Sequence, residues 1–320
     1  MHYRRLGQSG LKVSEISLGA WVTFGDQVDQ KLAKKMIEAA YDQGINYFDN
    51  ADAYGNGDGE VLMGKAIKKI PREALVISSK VFWPTMPGPN GRGLSRKHIR
   101  ESIDASLGRL GTDYVDLYFC HRYDQDTPIE EVVFTMNTLI QQGKILYWGT
   151  SEWSAAQISR AVGTARQYNL IPPTMEQPQY SMFHRERMET EIAPLAQELG
   201  LGLTTFSPLF FGILTGKYQD GIPAESRASL DSMAWIENYL TPDRLAIVEA
   251  ISRIAADLGM TPAQLAIAWI LRRKGVSSVI TGATKISQLE DNLGAAEKVD
   301  LLSDDVMVKI DEILIDHNEG

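Results

Sequence analysis

The chain has 320 residues, 44% of them hydrophobic, and a formal net charge of −9. Such a chain can bury a large core, and its acidic balance disfavours nucleic acid or an anionic membrane surface as the main partner. A single cysteine, Cys120, excludes an intramolecular disulfide, and the longest apolar runs are too short to span a bilayer; a cytoplasmic protein with no membrane insertion is expected.

Residues 1–14, MHYRRLGQSGLKVS, read as a small hairpin able to plug the floor of a barrel. Eight strand candidates follow: ISLGAW (16–21), YFDNA (47–51), LVISSKV (75–81), YVDLYFCH (114–121), ILYWGTS (145–151), TMEQPQY (174–180), LTTFSP (203–208) and SVITGA (278–283). Helical stretches lie between them. DQKLAKKMIEAAYDQG places Met36, Ile37, Ala40 and Tyr41 on one face, as on a helix lying against a sheet. SRKHIRESIDASLGRLG and SAAQISRAVGTARQY open on serine, a favoured N-cap. Two connections are long, 82–94 and about 209–240, and both are expected to be walls or lids of a site. Regular alternation argues for a parallel sheet under helices. Eight units point to a (β/α)8 TIM barrel with an N-terminal β-hairpin and extra C-terminal helices, one domain over 1–320. The rival, a doubly wound open sheet, normally carries a dinucleotide fingerprint after its first strand, and ISLGAWVTFGD has none.

YFDNADAYGNGDGE (47–60) concentrates carboxylates, glycines and tyrosines. As a twelve-residue calcium loop from Asp49 to Glu60 it fails, because Ala51, Ala53 and Tyr54 stand where ligands and a glycine belong. As a phosphate loop, GEVLMGKA offers Ala66 instead of Ser or Thr, and Val61, Leu62, Ala66 and Ile67 can share a helix face. A dinucleotide reading puts Glu60 at the third glycine. There remains a buried strand ending on a carboxylate, which must be paired. Further strands end on Lys80, on His121 and Arg122, on Ser151 and on Gln177. Strand C-termini are where barrel chemistry sits. The five histidines have no metal-ligand spacing, so no metal is expected.

Over nearly its whole length the sequence resembles the aldo-keto reductases, through GINYFDNADAYGNGDGE, ISSKV, LGTDYVDLYFCHR, GKILYWGTSEWS, FSPLFFGILTGKY and GVSSVITGA. In FWPTMPGPNGRGLSRKHI and ARQYNLIPPTMEQPQYSMFHRE it resembles the branch that contains the β subunits of voltage-gated potassium channels. The resemblance implies NADPH bound across the barrel mouth and reduction of an aldehyde or ketone. Asp49, Tyr54, Lys80 and His121 would form the catalytic tetrad. Tyr54 would be the general acid, its pKa lowered by Lys80, which Asp49 holds; His121 would orient the substrate oxygen. Ser151 and Gln177 would bind the nicotinamide amide, with Phe206 and Trp21 beside the ring. Ser207, Leu209, Gly212 and Lys217 would line the pyrophosphate. Arg227, Gly282, Thr284, Gln288 and Asn292 would surround the adenosine end, with Arg227 on the 2′-phosphate. Trp21, Phe24, Trp83 and Trp153 would wall the substrate pocket. Glu152 departs from the Asn or Arg of many relatives, and Asp52 is expected to hydrogen-bond within its turn. The channel subunits carry Asn at the position of His121, so histidine favours turnover. The alternative implied is a cofactor-loaded binding subunit with weak catalysis. The branch also implies that a monomer, tetramer or octamer is open.

Overall fold

The computed structural model describes residues 1–21, 29–224 and 226–316. Tyr3–Arg5 (β1) and Lys12–Ser14 (β2) pair antiparallel as the expected hairpin. Beside these strands, Leu6 and Val13 are fully buried against Tyr47, Val76, Leu117, Phe119, Met175 and Ile280. The hairpin therefore closes the floor of the barrel with apolar side chains.

The first four units are Ile16–Gly19 (β3) with Gln30–Asp42 (α1), Tyr47–Asp49 (β4) with Asp58–Ile67 (α2), Val76–Val81 (β5) with Arg96–Leu110 (α3), and Val115–Cys120 (β6) with Ile129–Gln141 (α4). Next come Ile145–Ser151 (β7) with Ala155–Gln167 (α5) and Met175–Gln177 (β8) with Ala193–Leu199 (α6). Gly202–Thr205 (β9) is followed by Pro242–Asp257 (α7) and Pro262–Leu271 (α8), and Val276–Thr281 (β10) by Ile286–Leu293 (α9) and Asp304–Asp316 (α10). β10 pairs with both β3 and β9, so the eight parallel strands close into a barrel. Among the described residues no single helix is long and apolar enough to cross a membrane.

Two buried layers follow from the pleat. Along β6, Leu117 and Phe119 join the interior cluster while Tyr118 and Cys120 join the shell between strands and helices. Helix starts follow their cap residues. Asp29 accepts from the Leu32 N–H ahead of α1, and Ser154 and Gln157 form a reciprocal capping box ahead of α5.

Two expectations change. α2 buries Met63 with Ala66 and Ile67, and leaves Val61 and Leu62 only partly buried. The helix is rolled because its first turn buries the Glu60 carboxylate, which accepts from Ser79 Oγ and pairs with Arg109. The stretch 209–240 is not irregular throughout, since turns of 3-10 helix run over Phe210–Thr215, Arg227–Ser229 and Asp231–Tyr239.

α2 and α3 touch closely at Gly64. A Cβ there would lie 2.5 Å from the Leu110 carbonyl oxygen and 2.8 Å from that of Arg109. Gly64→Ala is therefore expected to lower stability by about 1–3 kcal/mol by overpacking, measured by thermal or urea unfolding. A gain of roughly 1 kcal/mol, the usual effect of alanine inside a helix, would show that this contact is not tight.

Candidate active site

Strand parity gathers the polar residues. Tyr47 and Val76 belong to the barrel interior, so Asp49 on β4 and Ser78 and Lys80 on β5 point the same way. Phe119 and Met175 are also interior, which directs His121 and Gln177 inward, and Ser151 is paired in register with Gln177. The strand-end residues thus form one polar layer above the apolar interior.

Asp49 and Lys80 are the centre of that layer, 2% and 0% exposed. Lys80 Nζ donates to Asp49 Oδ2 at 2.7 Å, to the Asn50 carbonyl at 2.7 Å and to Tyr54 Oη at 3.1 Å. Asp49 Oδ1 accepts from Ser78 Oγ at 2.7 Å, Gln177 Nε2 at 3.0 Å and Tyr47 Oη at 3.2 Å. Tyr54 reaches the layer because the chain reverses immediately after it. Gly55, Asn56 and Gly57 take φ of 56°, 53° and 96°, a left-handed run that suits glycine and asparagine. The His121 ring stands edge-on to Tyr54, with centroids 5.8 Å apart.

Burial sets the protonation states. It pushes the Tyr54 phenol above its ordinary value, and the Lys80 ammonium opposes this without reversing it. The expected net lowering of Tyr54 is therefore not seen: the phenol is protonated at neutral pH. For Lys80, burial favours the neutral amine, but Asp49 and then Tyr54 outweigh it and raise the pKa. Burial, then the charges of Lys80 and Arg122, hold the His121 imidazole well below its usual range, so it is neutral.

Beside the layer lies a cleft of about 300 Å³. Tyr54 and Asp49 line one end, together with Trp21 and Phe206, whose rings meet edge-on at 6.4 Å. Ser207, Leu209, Gly212, Lys217, Arg227, Gly282, Thr284, Gln288 and Asn292 line it as well. Lys217 and Arg227 both have lowered pKa values, first through burial and, for Lys217, through repulsion by Arg227. Among the described residues neither has a carboxylate partner. Lys217 is exposed to the cleft and Arg227 is half-buried; two neighbouring cations without an ion-pair partner suit a phosphorylated ligand. Ser151 and Gln177 do not line this cleft; they are fully buried, and Ser151 Oγ donates to the Gln177 carbonyl at 2.9 Å.

Of the residues expected to wall a substrate pocket, Trp21 lines the cleft and Trp83 is partly exposed with its ring 6.3 Å from that of His121. Trp153 is not a wall. It has no exposed surface and packs against Tyr123 with centroids 4.8 Å apart, because the strand-end bend turns it inward behind Glu176, which accepts its backbone N–H. Phe24 lies outside the described residues. Glu152 is turned away from the site, accepting from the Gln179 N–H and pairing with Arg187 at 3.0 Å. Phe211, Thr215 and Thr261 also line the cleft; the first two carried no signal in the sequence beyond their place in a long connection, and Thr261 is the N-cap of α8.

Comparison with known proteins gives the family. The model of the Aldo/keto reductase family matches residues 15–315. A protein of Arabidopsis thaliana named "Probable voltage-gated potassium channel subunit beta" is 51% identical, covering 98% of this chain and 97% of its own. Its namesake in Oryza sativa subsp. japonica is 49% identical over the same shares. A "Putative voltage-gated potassium channel subunit beta" of Schizosaccharomyces pombe is 48% identical, over 98% and 93%. The chain belongs to the aldo/keto reductase family, a family of oxidoreductases that generally use NAD(P)H.

Behind the site, Asp52 joins the 50–57 turn to α3. Its Oδ2 accepts from Ser102 Oγ at 2.6 Å, and its backbone N–H donates to the Lys80 carbonyl. Oδ1 is buried without a partner, and burial pushes the carboxyl up to about 7. The folded state thus favours the protonated acid. Stability from this group is complete below about pH 4 and is lost as pH rises through about 7. Asp52→Asn is expected to be more stable than the parent near pH 8, by on the order of 2–4 kcal/mol, with the gap closing towards pH 4. Thermal melting across that range checks this, and a pH-independent difference would contradict it.

Proposed function

From that membership we propose that the protein reduces aldehydes or ketones to alcohols with NADPH, using Tyr54 as the proton donor. The observation that carries the reading is the chain from Asp49 through Lys80 to Tyr54, an ammonium held beside a protonated phenol at the edge of a cleft fit for a phosphorylated ligand. When bound there, the reduced nicotinamide supplies the hydride that the carbonyl carbon accepts. The residues of the chain manage the other half of the reaction. His121, neutral and edge-on to Tyr54, positions the carbonyl oxygen by hydrogen bonding. Tyr54 gives its proton to that oxygen as negative charge builds on it. Lys80 stabilises the phenolate left behind, and Asp49 keeps Lys80 charged and fixed. The alcohol leaves, and solvent returns a proton to Tyr54. Phe206 and Trp21 would hold the nicotinamide end of the cofactor; Ser151 and Gln177, assigned to its amide by the resemblance, would have to leave their present hydrogen bonds to reach it. Lys217 would meet the pyrophosphate and Arg227 the 2′-phosphate, which is the basis for choosing NADPH over NADH.

The names of the similar proteins motivate a second reading, in which the chain acts as a cofactor-loaded subunit for a channel. The complete tetrad with a neutral His121 supports turnover over that role. Negligible turnover together with a stable tetramer in solution would reverse the choice.

Purified protein should oxidise NADPH in the presence of 4-nitrobenzaldehyde, and Tyr54→Phe should lower kcat by about 100-fold or more while cofactor still quenches tryptophan fluorescence. Retained activity in that variant would remove Tyr54 from the reaction. Arg227→Ala should cut the preference for NADPH over NADH about tenfold or more, the weight of a charged hydrogen bond. An unchanged ratio in the kinetics with the two cofactors would refute the assignment of the 2′-phosphate.

A further inference from the structure

Arg122 immediately follows His121 at the end of β6, and the proposed reaction gives it no task. Its guanidinium is half-buried at the mouth. Nη1 donates to the His121 carbonyl at 2.5 Å, and the guanidinium carbon lies 5.6 Å from the centre of the Trp83 ring. Trp83 in turn packs edge-on to His121. Arg122 is therefore held beside His121 and Trp83, and its charge is felt at both Tyr54 and His121.

Among the described residues no carboxylate forms an ion pair with it. Glu152 is committed to Arg187 and the Gln179 N–H. Glu176 is buried against Thr150 and the Trp153 N–H, and burial pushes it up to about 8, which favours its protonated form at pH 7. Asp124 accepts from Thr127 and the Asp126 N–H within its own loop and from the Leu94 N–H at the end of the 82–94 connection. Glu152 and Glu176 act on the Arg122 charge without bonding it, so its fork of N–H donors, of which one meets the His121 carbonyl, keeps capacity that matches a carboxylate.

We propose that Arg122 is a specificity-determining residue that selects carbonyl substrates bearing a carboxylate. The carbonyl oxygen sits between Tyr54 and His121, and the carboxylate is bound by Arg122 over Trp83. This rests on the reductase reading above.

The test compares kcat/KM for 2- and 4-carboxybenzaldehyde with that for their neutral methyl esters, in the parent protein, Arg122→Met and Arg122→Lys. At least one acid should be preferred over its ester by about tenfold or more through a lower KM, since charged hydrogen bonds are of that strength. Arg122→Met should abolish the preference, Arg122→Lys should keep part of it, and salt should weaken it. A parent protein that prefers both esters, or an acid-to-ester ratio equal in parent and Arg122→Met, overturns the proposal. Binding is measured separately, by quenching of tryptophan fluorescence with benzoate and with neutral benzamide. If no aldehyde is reduced, the reductase reading fails while tighter, salt-sensitive binding of benzoate still supports the anion site; equal binding of the two overturns it. Should Arg122→Met fail to fold, as judged by circular dichroism, Arg122→Lys and the salt dependence decide.

Discussion

Asp49 and Lys80 are buried together, carboxylate to ammonium at 2.7 Å, and the mouth of the barrel is organised around that contact. Both charges are almost wholly removed from water, so both must be satisfied internally. Ser78, Gln177, Tyr47 and the Asn50 carbonyl do this. These partners come from three strands and the turn that follows one of them, which ties β4, β5 and β8 to one geometry. Removing one member of such a pair leaves an unpaired buried charge and typically costs about 3–5 kcal/mol. The arrangement is therefore rigid, and Tyr54 is set against a preformed cation.

The rest of the site is arranged at two distances from this pair. Close by, His121 is neutral because the same cation and Arg122 oppose its protonation. Farther out, the cleft is shaped by backbone in an uncommon conformation. Ser207, Phe210 and Phe211 have φ of 56°, 44° and 60°, and Gly212 follows at 91°. A Cβ at Gly212 would meet Lys217 Nζ at 2.7 Å, so glycine there leaves the ammonium its place in the cleft. Non-glycine residues with positive φ store strain that the surrounding structure must hold, and here they bend the chain around the position given to the pyrophosphate.

Much of this was legible before any coordinates. A strand alternates its side chains, so polar residues at fixed parity near strand ends announce an inward polar layer: Asp49, Lys80, His121 and Gln177 could be found in this way. Gly55, Asn56 and Gly57 announced the turn. What stayed hidden depends on pairings between distant segments. Glu60 lies in the first turn of α2 and pairs with Arg109, forty-nine positions away, and that contact rolls α2 so that Met63 replaces Leu62 in the core. Asp52 was placed in its turn, but Ser102 on α3 and the burial of the carboxyl could not be seen. Trp153 was read as a wall because aromatic residues suit both walls and cores, and only packing against Tyr123 separates the two. The sign of the Tyr54 shift depends on how far burial outweighs Lys80, which residue types alone do not give.

The central claim is that Tyr54, and not His121, delivers the proton. It is tested most directly by the pH dependence of cofactor oxidation in a single turnover with an aldehyde. Tyr54 is protonated and His121 neutral throughout the neutral range, so the rate should be flat from about pH 6 to pH 8, with a large loss in Tyr54→Phe at every pH. A rate that instead rises on acidification with a midpoint near 6.5, the ordinary histidine value, and loses that dependence in His121→Gln would make the imidazolium the donor and contradict the account.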